Sequence, residues 1–231
     1  LHKQTLKKTF SLSLPFVGVV LLYFGLRAAF VESSTEVAET EFAVINNALS
    51  QAENFGERLA SSAYLVMLYF YKLIWPVKLS WDYSYSVITV IKWSSVTGII
   101  SILINAILLI WAFWKLPKRN AYSWAILSFY ITISIVINFF ILIGANFAER
   151  FLFIPSIFFS LAIVLLLERF LERMFVESKN LKLAIMLLAI LFSARTFIRI
   201  SDWRSMETLV TSSLEVYPES SRIQTAMGSN M

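Results

Sequence analysis

Polar and apolar positions follow one another along this chain in long blocks, not in the short periods of a soluble fold. Apolar runs occupy roughly residues 10–30, 95–114, 121–143, 155–171 and 181–198, each long enough to cross the ~30 Å hydrocarbon layer of a bilayer as a helix. A further stretch at 59–75, "LASSAYLVMLYFYKLIW", is shorter and mixes Tyr64, Tyr69, Tyr71, Lys72 and Trp75 into its apolar residues. Amphipathic rings and a lysine able to snorkel favour the headgroup level, so an interfacial or re-entrant helix is expected there, with another crossing as the alternative. From Asp202 onward the pattern is that of a soluble helix, with Trp203, Leu209, Leu214 and Val216 as its apolar positions and Pro218 as its stop. The pattern therefore predicts an all-α chain, with a polytopic membrane helix bundle over 1–200 and a segment outside the membrane over 201–231.

The polar blocks orient the bundle. The basic turn "KLPKR" at 115–119 and the cluster His2, Lys3, Lys7 and Lys8 are placed inside by the preference of Lys and Arg for that side. The segment 172–182 then also lies inside, and 31–57, 76–94 and 144–154 lie outside. With both of its flanks outside, 59–75 does not cross. Arg195 and Arg199, just beyond the last run, pull against this orientation. The chain begins at Leu1, and its first run lacks a signal-peptide cleavage site, so it is expected to be a piece of a longer protein. The interval from Pro218 to Gly228 equals that from the closing proline of one tetratricopeptide repeat to the glycine in the first helix of the next. Residues 201–231 are thus expected to open an outward-facing repeat array, and more repeats should follow, because one helical hairpin cannot bury its own apolar face.

Composition narrows the chemistry. Hydrophobic residues make up 58% of the 231 residues and charged ones only 15%, with a mean hydropathy of +0.71, which is membrane composition. Without cysteine there is no disulfide or thiolate chemistry, and the single histidine, His2, cannot build a metal cluster or a catalytic triad. No metal site and no resident cofactor are expected, and the few glycines form no phosphate-cradling loop. The net charge of +5 sits beside apolar runs, where it signals topology and not nucleic-acid binding. A cysteine-free chain with outward loops leans towards a bacterial inner membrane.

Two stretches hold candidate chemistry. In "WPVKLSWDYSYS" at 75–86, Asp82 stands among Trp75, Trp81, Tyr83 and Tyr85; rings stack on the C–H faces of a sugar while Asp and Tyr bond its hydroxyls, or else the stretch is an aromatic belt with Asp82 capping a turn. In "ANFAERFLFIPS" at 145–156, Glu149-Arg150 separates two apolar stretches. Arg150 can grip the phosphate of a lipid-linked substrate through paired, charge-assisted hydrogen bonds, with Glu149 orienting it or binding substrate hydroxyls. The plainer reading is a charged pair that ends a span and fixes its depth. Asn105 and Asn138, deep in apolar runs, are expected to hydrogen-bond between helices.

Taken in order, "LYFYKLIWPVKLSWDYSYS", "ANFAERFLFIPS" and "RISDWRSMETLVTSSLEVYPESSRIQTAMGSN" resemble the transmembrane and tetratricopeptide-repeat containing proteins, a family of protein O-mannosyltransferases with bacterial relatives. The likeness runs over roughly residues 45–231. It implies a GT-C type membrane domain, of which this chain is the C-terminal part, with an outward active site and repeats on the same side. It further implies mannose transfer from a polyprenyl-phosphate donor to protein Ser/Thr hydroxyls, with the acceptor protein presented by the repeats. Trp81, Asp82, Tyr83, Tyr85, Glu149 and Arg150 would be the substrate-binding set, and Arg150 would face the donor phosphate. GT-C enzymes carry their acidic catalytic residue in the first outer loop, so the general base is expected upstream of this chain, which by itself should be inactive. A ligase or polymerase of lipid-linked glycans, or a non-catalytic anchor displaying repeats, are the alternatives.

Overall fold

The computed structural model describes residues 47–83, 87–173 and 178–229, and, nearer the N-terminus, residues 8, 11, 14, 15, 17–19, 21, 22 and 25. The chain divides into two units, Leu1–Glu41 and Phe42–Met231. In the first, the described positions are helical, in keeping with the apolar run expected at 10–30. The second unit contains everything that follows, and its described residues form helices and irregular segments without a strand.

Helix α1 spans Phe55–Ile74, opened by the Asn54 side chain, which accepts a hydrogen bond from Glu57 N and satisfies one of the free donors of the first turn. Its buried face runs through Ser62, Leu65, Val66, Tyr69 and Lys72, the i, i+3, i+4, i+7 stripe of a helix packed into a core. Lys72 therefore does not snorkel to a headgroup layer. It is only 6% exposed and Tyr69 is fully buried, because the following segment doubles back along α1: Lys72 Nζ donates to Lys78 O, and Ile91 N donates to Ser61 Oγ at 2.8 Å. Helix α2, Val96–Lys115, then crosses α1 at small residues. A Cβ on Gly98 would stand 3.3 Å from Ala60 Cβ and 2.6 Å from Lys92 O. Asn105 bridges helices as expected, donating to Ala63 O at 3.1 Å and accepting from Tyr130 Oη at 2.6 Å.

After the basic turn, where Arg119 takes a left-handed conformation (φ 49°), helix α3 covers Ala121–Ile133. It stops some ten residues short of the expected 121–143. Asn138 is the reason: at φ 59° it cannot continue a helix, and its side chain organises the backbone around it. Asn138 Oδ1 accepts from Ile143 N at 2.9 Å and from Asn47 Nδ2 at 2.8 Å, while its Nδ2 donates to Asn146 O at 3.1 Å. Side-chain amides thus supply the partners that a helix would have supplied, the condition for irregular backbone in apolar surroundings. The flanking Ile135, Phe140 and Ile141 are each at least 70% exposed.

Helix α4, Phe153–Arg173, carries Pro155 in its first turn, where the missing N–H costs nothing. Helix α5 is Ser178–Ile200. Among the described residues, three segments are long and apolar enough to cross a membrane: Val96–Lys118, Glu149–Phe170 and Lys182–Trp203, the last with none of its apolar window buried. Beyond a short turn, helix α6, Met206–Val216, starts in a reciprocal Ser205/Thr208 cap and forms a hairpin with helix α7, Ser221–Ser229, closed by fully buried Val210 and Ile223. Tyr122 Oη, early in α3, donates to Leu165 O late in α4 at 2.7 Å, while Ser80 N reaches Glu149 Oε1 at 3.2 Å and Arg195 Nε reaches Pro76 O at 2.8 Å. Those bonds put 76–83, 144–152 and the chain beyond Arg195 together at one end of the bundle, with the basic turn at the other.

Candidate functional site

The gathered end has a closed side and an open side. On the closed side, Tyr83 Oη donates to Glu149 Oε1, and Ser80 N donates to the same oxygen at 3.2 Å and to Tyr83 Oη at 3.0 Å. Ser80 and Tyr83 can share one carboxylate because the loop between them turns tightly. Tyr83 is 2% exposed, its ring edge-on to Phe147 at 4.9 Å and to Tyr217 at 5.4 Å, geometries that aromatic pairs favour. Lys72 Nζ lies 4.9 Å from the Tyr83 ring centre and 3.5 Å from Tyr217 Oη, a cation held over two π faces. Burial pushes the Lys72 ammonium down to about 8, opposed by the Glu149 charge and helped by Lys78 and Arg199. Burial also pushes the Tyr83 phenol far up, and Glu149 adds to the effect, so this hydroxyl keeps its proton and acts as a donor.

On the open side, a polar recess of about 120 Å³ is lined by Trp81, Asp82, Arg150 and Arg222 together with residues 144–148, Asn146 among them. Asp82 is 8% exposed and its Oδ1 lies 3.5 Å from Arg222 Nη1, a guanidinium that also sits 5.8 Å from the Trp81 ring centre. Arg150 is exposed, its guanidinium 5.1 Å from the Phe151 ring centre. Asn146, fixed by donating to Ile88 O at 3.1 Å, joins the recess to the asparagine cluster that ends α3. Two arginines, one carboxylate and one indole in a small polar hollow form a surface suited to an anionic or polyhydroxylated group.

Of the residues expected to bind substrate, Trp81, Asp82 and Arg150 line the recess, while buried Tyr83 and half-buried Glu149 pair behind it; Tyr85 and its neighbour Ser84 lie outside the described residues. Glu149 does not orient Arg150: its described hydrogen bonds go to Tyr83 and Ser80, since the short helical turn over Glu149–Leu152 points successive side chains apart. The sequence reading missed Lys72, Asn146, Tyr217 and Arg222. Lys72 had a signal, falling three residues after Tyr69 and seven after Leu65 on the apolar stripe of α1; Arg222, 140 residues from Asp82, had none.

Residues 36–110 match the family described as Protein O-mannosyl-transferase TMTC, DUF1736. The chain is 27% identical over 173 residues, 74% of its length, to Protein O-mannosyl-transferase F38B6.6 of Caenorhabditis elegans. It spans about a quarter of that relative, 24%. No solved structure matches the chain. The resemblance read from the three motifs is thus met by a family match that takes in α1, the loop after it and most of α2. This relative is eukaryotic, and the expectation of a bacterial membrane rests on the cysteine count alone.

Proposed function

Starting from the TMTC-family segment at 36–110, we propose that the protein carrying this chain transfers a sugar, mannose by family analogy, from a polyprenyl-phosphate donor to Ser/Thr hydroxyls of proteins on the outer face of a membrane. The observation that carries the reading to particular residues is the convergence of Trp81, Asp82 and Arg150 on one recess. In this reading Arg150 holds the donor phosphate, since a guanidinium offers two parallel charge-assisted donors. Asp82, tied to Arg222, accepts from sugar hydroxyls, and the Trp81 ring covers a C–H face. The Tyr83–Glu149 pair stands behind the recess and takes no part in proton transfer. The base that removes the acceptor proton comes from elsewhere in the GT-C domain. The α6–α7 hairpin is the start of a tetratricopeptide-repeat array that presents the acceptor.

The test is transfer by the full-length protein in membranes, using radiolabelled polyprenyl-phosphate mannose. Label should appear on protein and fall roughly tenfold or more in Arg150→Ala, the loss expected for a charged hydrogen-bonding pair, with Arg150→Lys recovering only part. Unchanged transfer in Arg150→Ala removes Arg150 from the mechanism. Label on glycan in place of protein assigns the protein to the ligases of lipid-linked glycans.

A further inference from the structure

A second cavity, of about 410 Å³, lies between the end of α1 and the last turns of α5, lined by Lys72, Leu73, Phe192, Arg195, Arg199 and Trp203 among others, with no carboxylate among its described lining residues. We propose that it is a binding site for the phosphate head of an anionic membrane lipid, distinct from the recess around Arg150 and independent of the transfer reaction. Arg199 carries the argument. Its Nη1 is engaged by Asp202 Oδ2 at 2.6 Å, with the side chain only 11% exposed, whereas its Nε and Nη2 are buried and make no hydrogen bond. These two nitrogens form the side-on edge of the guanidinium, whose parallel N–H groups match two oxygens of one phosphate. Burying that edge without acceptors carries the full desolvation cost, and an anionic oxygen pair removes it.

The neighbours say which kind of phosphate. Arg195 spends Nε on Pro76 O at 2.8 Å and Nη2 on Val77 O at 2.7 Å, so it shapes the wall and adds charge. Lys72 adds a third cation at the inner end. The rest of the wall is mainly apolar, and α5 belongs to a candidate span with none of its apolar window buried. Phe192 and Trp203, 43% and 61% exposed, flank the cavity on that membrane-facing side. A cationic pocket opening onto an apolar helix face fits a phosphate with hydrocarbon attached, whereas a free phosphate ion leaves that apolar wall unused.

Spin-labelled phosphatidylglycerol and spin-labelled phosphatidylcholine, each reconstituted with the full chain, supply the test, read as the motionally restricted fraction. The wild type should prefer phosphatidylglycerol, and Arg199→Gln should weaken that preference roughly tenfold, with Arg199→Lys keeping part of it. Thr196→Trp, which fills the cavity and leaves its cations in place, should remove the preference as well, and serves if Arg199→Gln does not fold. Preference unchanged in both Arg199→Gln and Thr196→Trp overturns the site. Displacement of the lipid by inorganic phosphate at roughly 10 mM, a concentration that only a headgroup-only site of similar affinity would feel, overturns the lipid assignment.

Discussion

Lys72 is where burial and charge meet most directly. Its folded pKa of about 8 lies below the ordinary 10.5, so between those values the unfolded chain holds a proton that the folded chain has released. Folding stability attributable to this group therefore rises with pH across that window, and below about 8 the buried charge is a standing cost. Thermal unfolding at about pH 7 and about pH 9.5 should show the wild type gaining on the order of 2 kcal/mol relative to Lys72→Met, which lacks the titration; parallel curves would mean that Lys72 is solvated. Asn138 is the other residue whose loss should be felt widely, because it combines a positive φ with four side-chain hydrogen bonds. Asn138→Ala should cost about 3 kcal/mol in chemical denaturation, and Asn138→Gly measurably less, since glycine keeps the backbone and loses only the bonds. Sequence alone placed both residues in apolar stretches but not their duties. A lysine in a helix of tyrosines reads as a snorkel until the returning loop is known, and an asparagine in a span reads as a helix-to-helix bond until its φ is known.

Among the elements, the α1–α2 crossing has the narrowest tolerance. Gly98 sits where a methyl group would meet the Lys92 carbonyl at 2.6 Å, and backbone cannot swing away as a side chain can. Gly98→Ala should destabilise the bundle by about 1–3 kcal/mol, read as a lower melting temperature, while Gly144→Ala, with open space around it, should be close to neutral. Hydropathy located α2, α4 and α5 within a few residues, because long apolar runs admit few other structures. It overran α3 for a related reason: the residues from 134 to 143 are as apolar as a span, and only the Asn47–Asn138–Asn146 contacts, the first of them made across 91 residues of sequence, decide that they are not helical.

For the whole molecule, the ordering of loops was legible and their contacts were not. The alternation of spans and polar blocks put 76–94, 144–154 and the C-terminal segment on a common side, and the structure gathers 76–83, 144–152 and the chain beyond Arg195 at one end. Arg195 and Arg199, which argued against that arrangement as bare charges, turn out to be engaged there, by Pro76 and Val77 in one case and by Asp202 in the other. The depth of this assembly can be read through Lys72 again: Tyr217→Ala, by removing the ring that covers it, should return its pKa towards the ordinary value, measured by NMR of the methylated lysine, whereas Tyr217→Phe should leave most of the shift.

Tyr217 also has a metric meaning. Packed edge-on against Tyr83, with Ser213 Oγ accepting from Trp81 N at 3.3 Å nearby, it gives the α6–α7 hairpin a fixed bearing on the recess. Helical repeats stacked beyond α7 would start from that bearing and advance by equal steps. Under the proposed function, the place at which a bound protein offers its hydroxyl would then be set by counting, as on a ruler whose zero mark is a tyrosine.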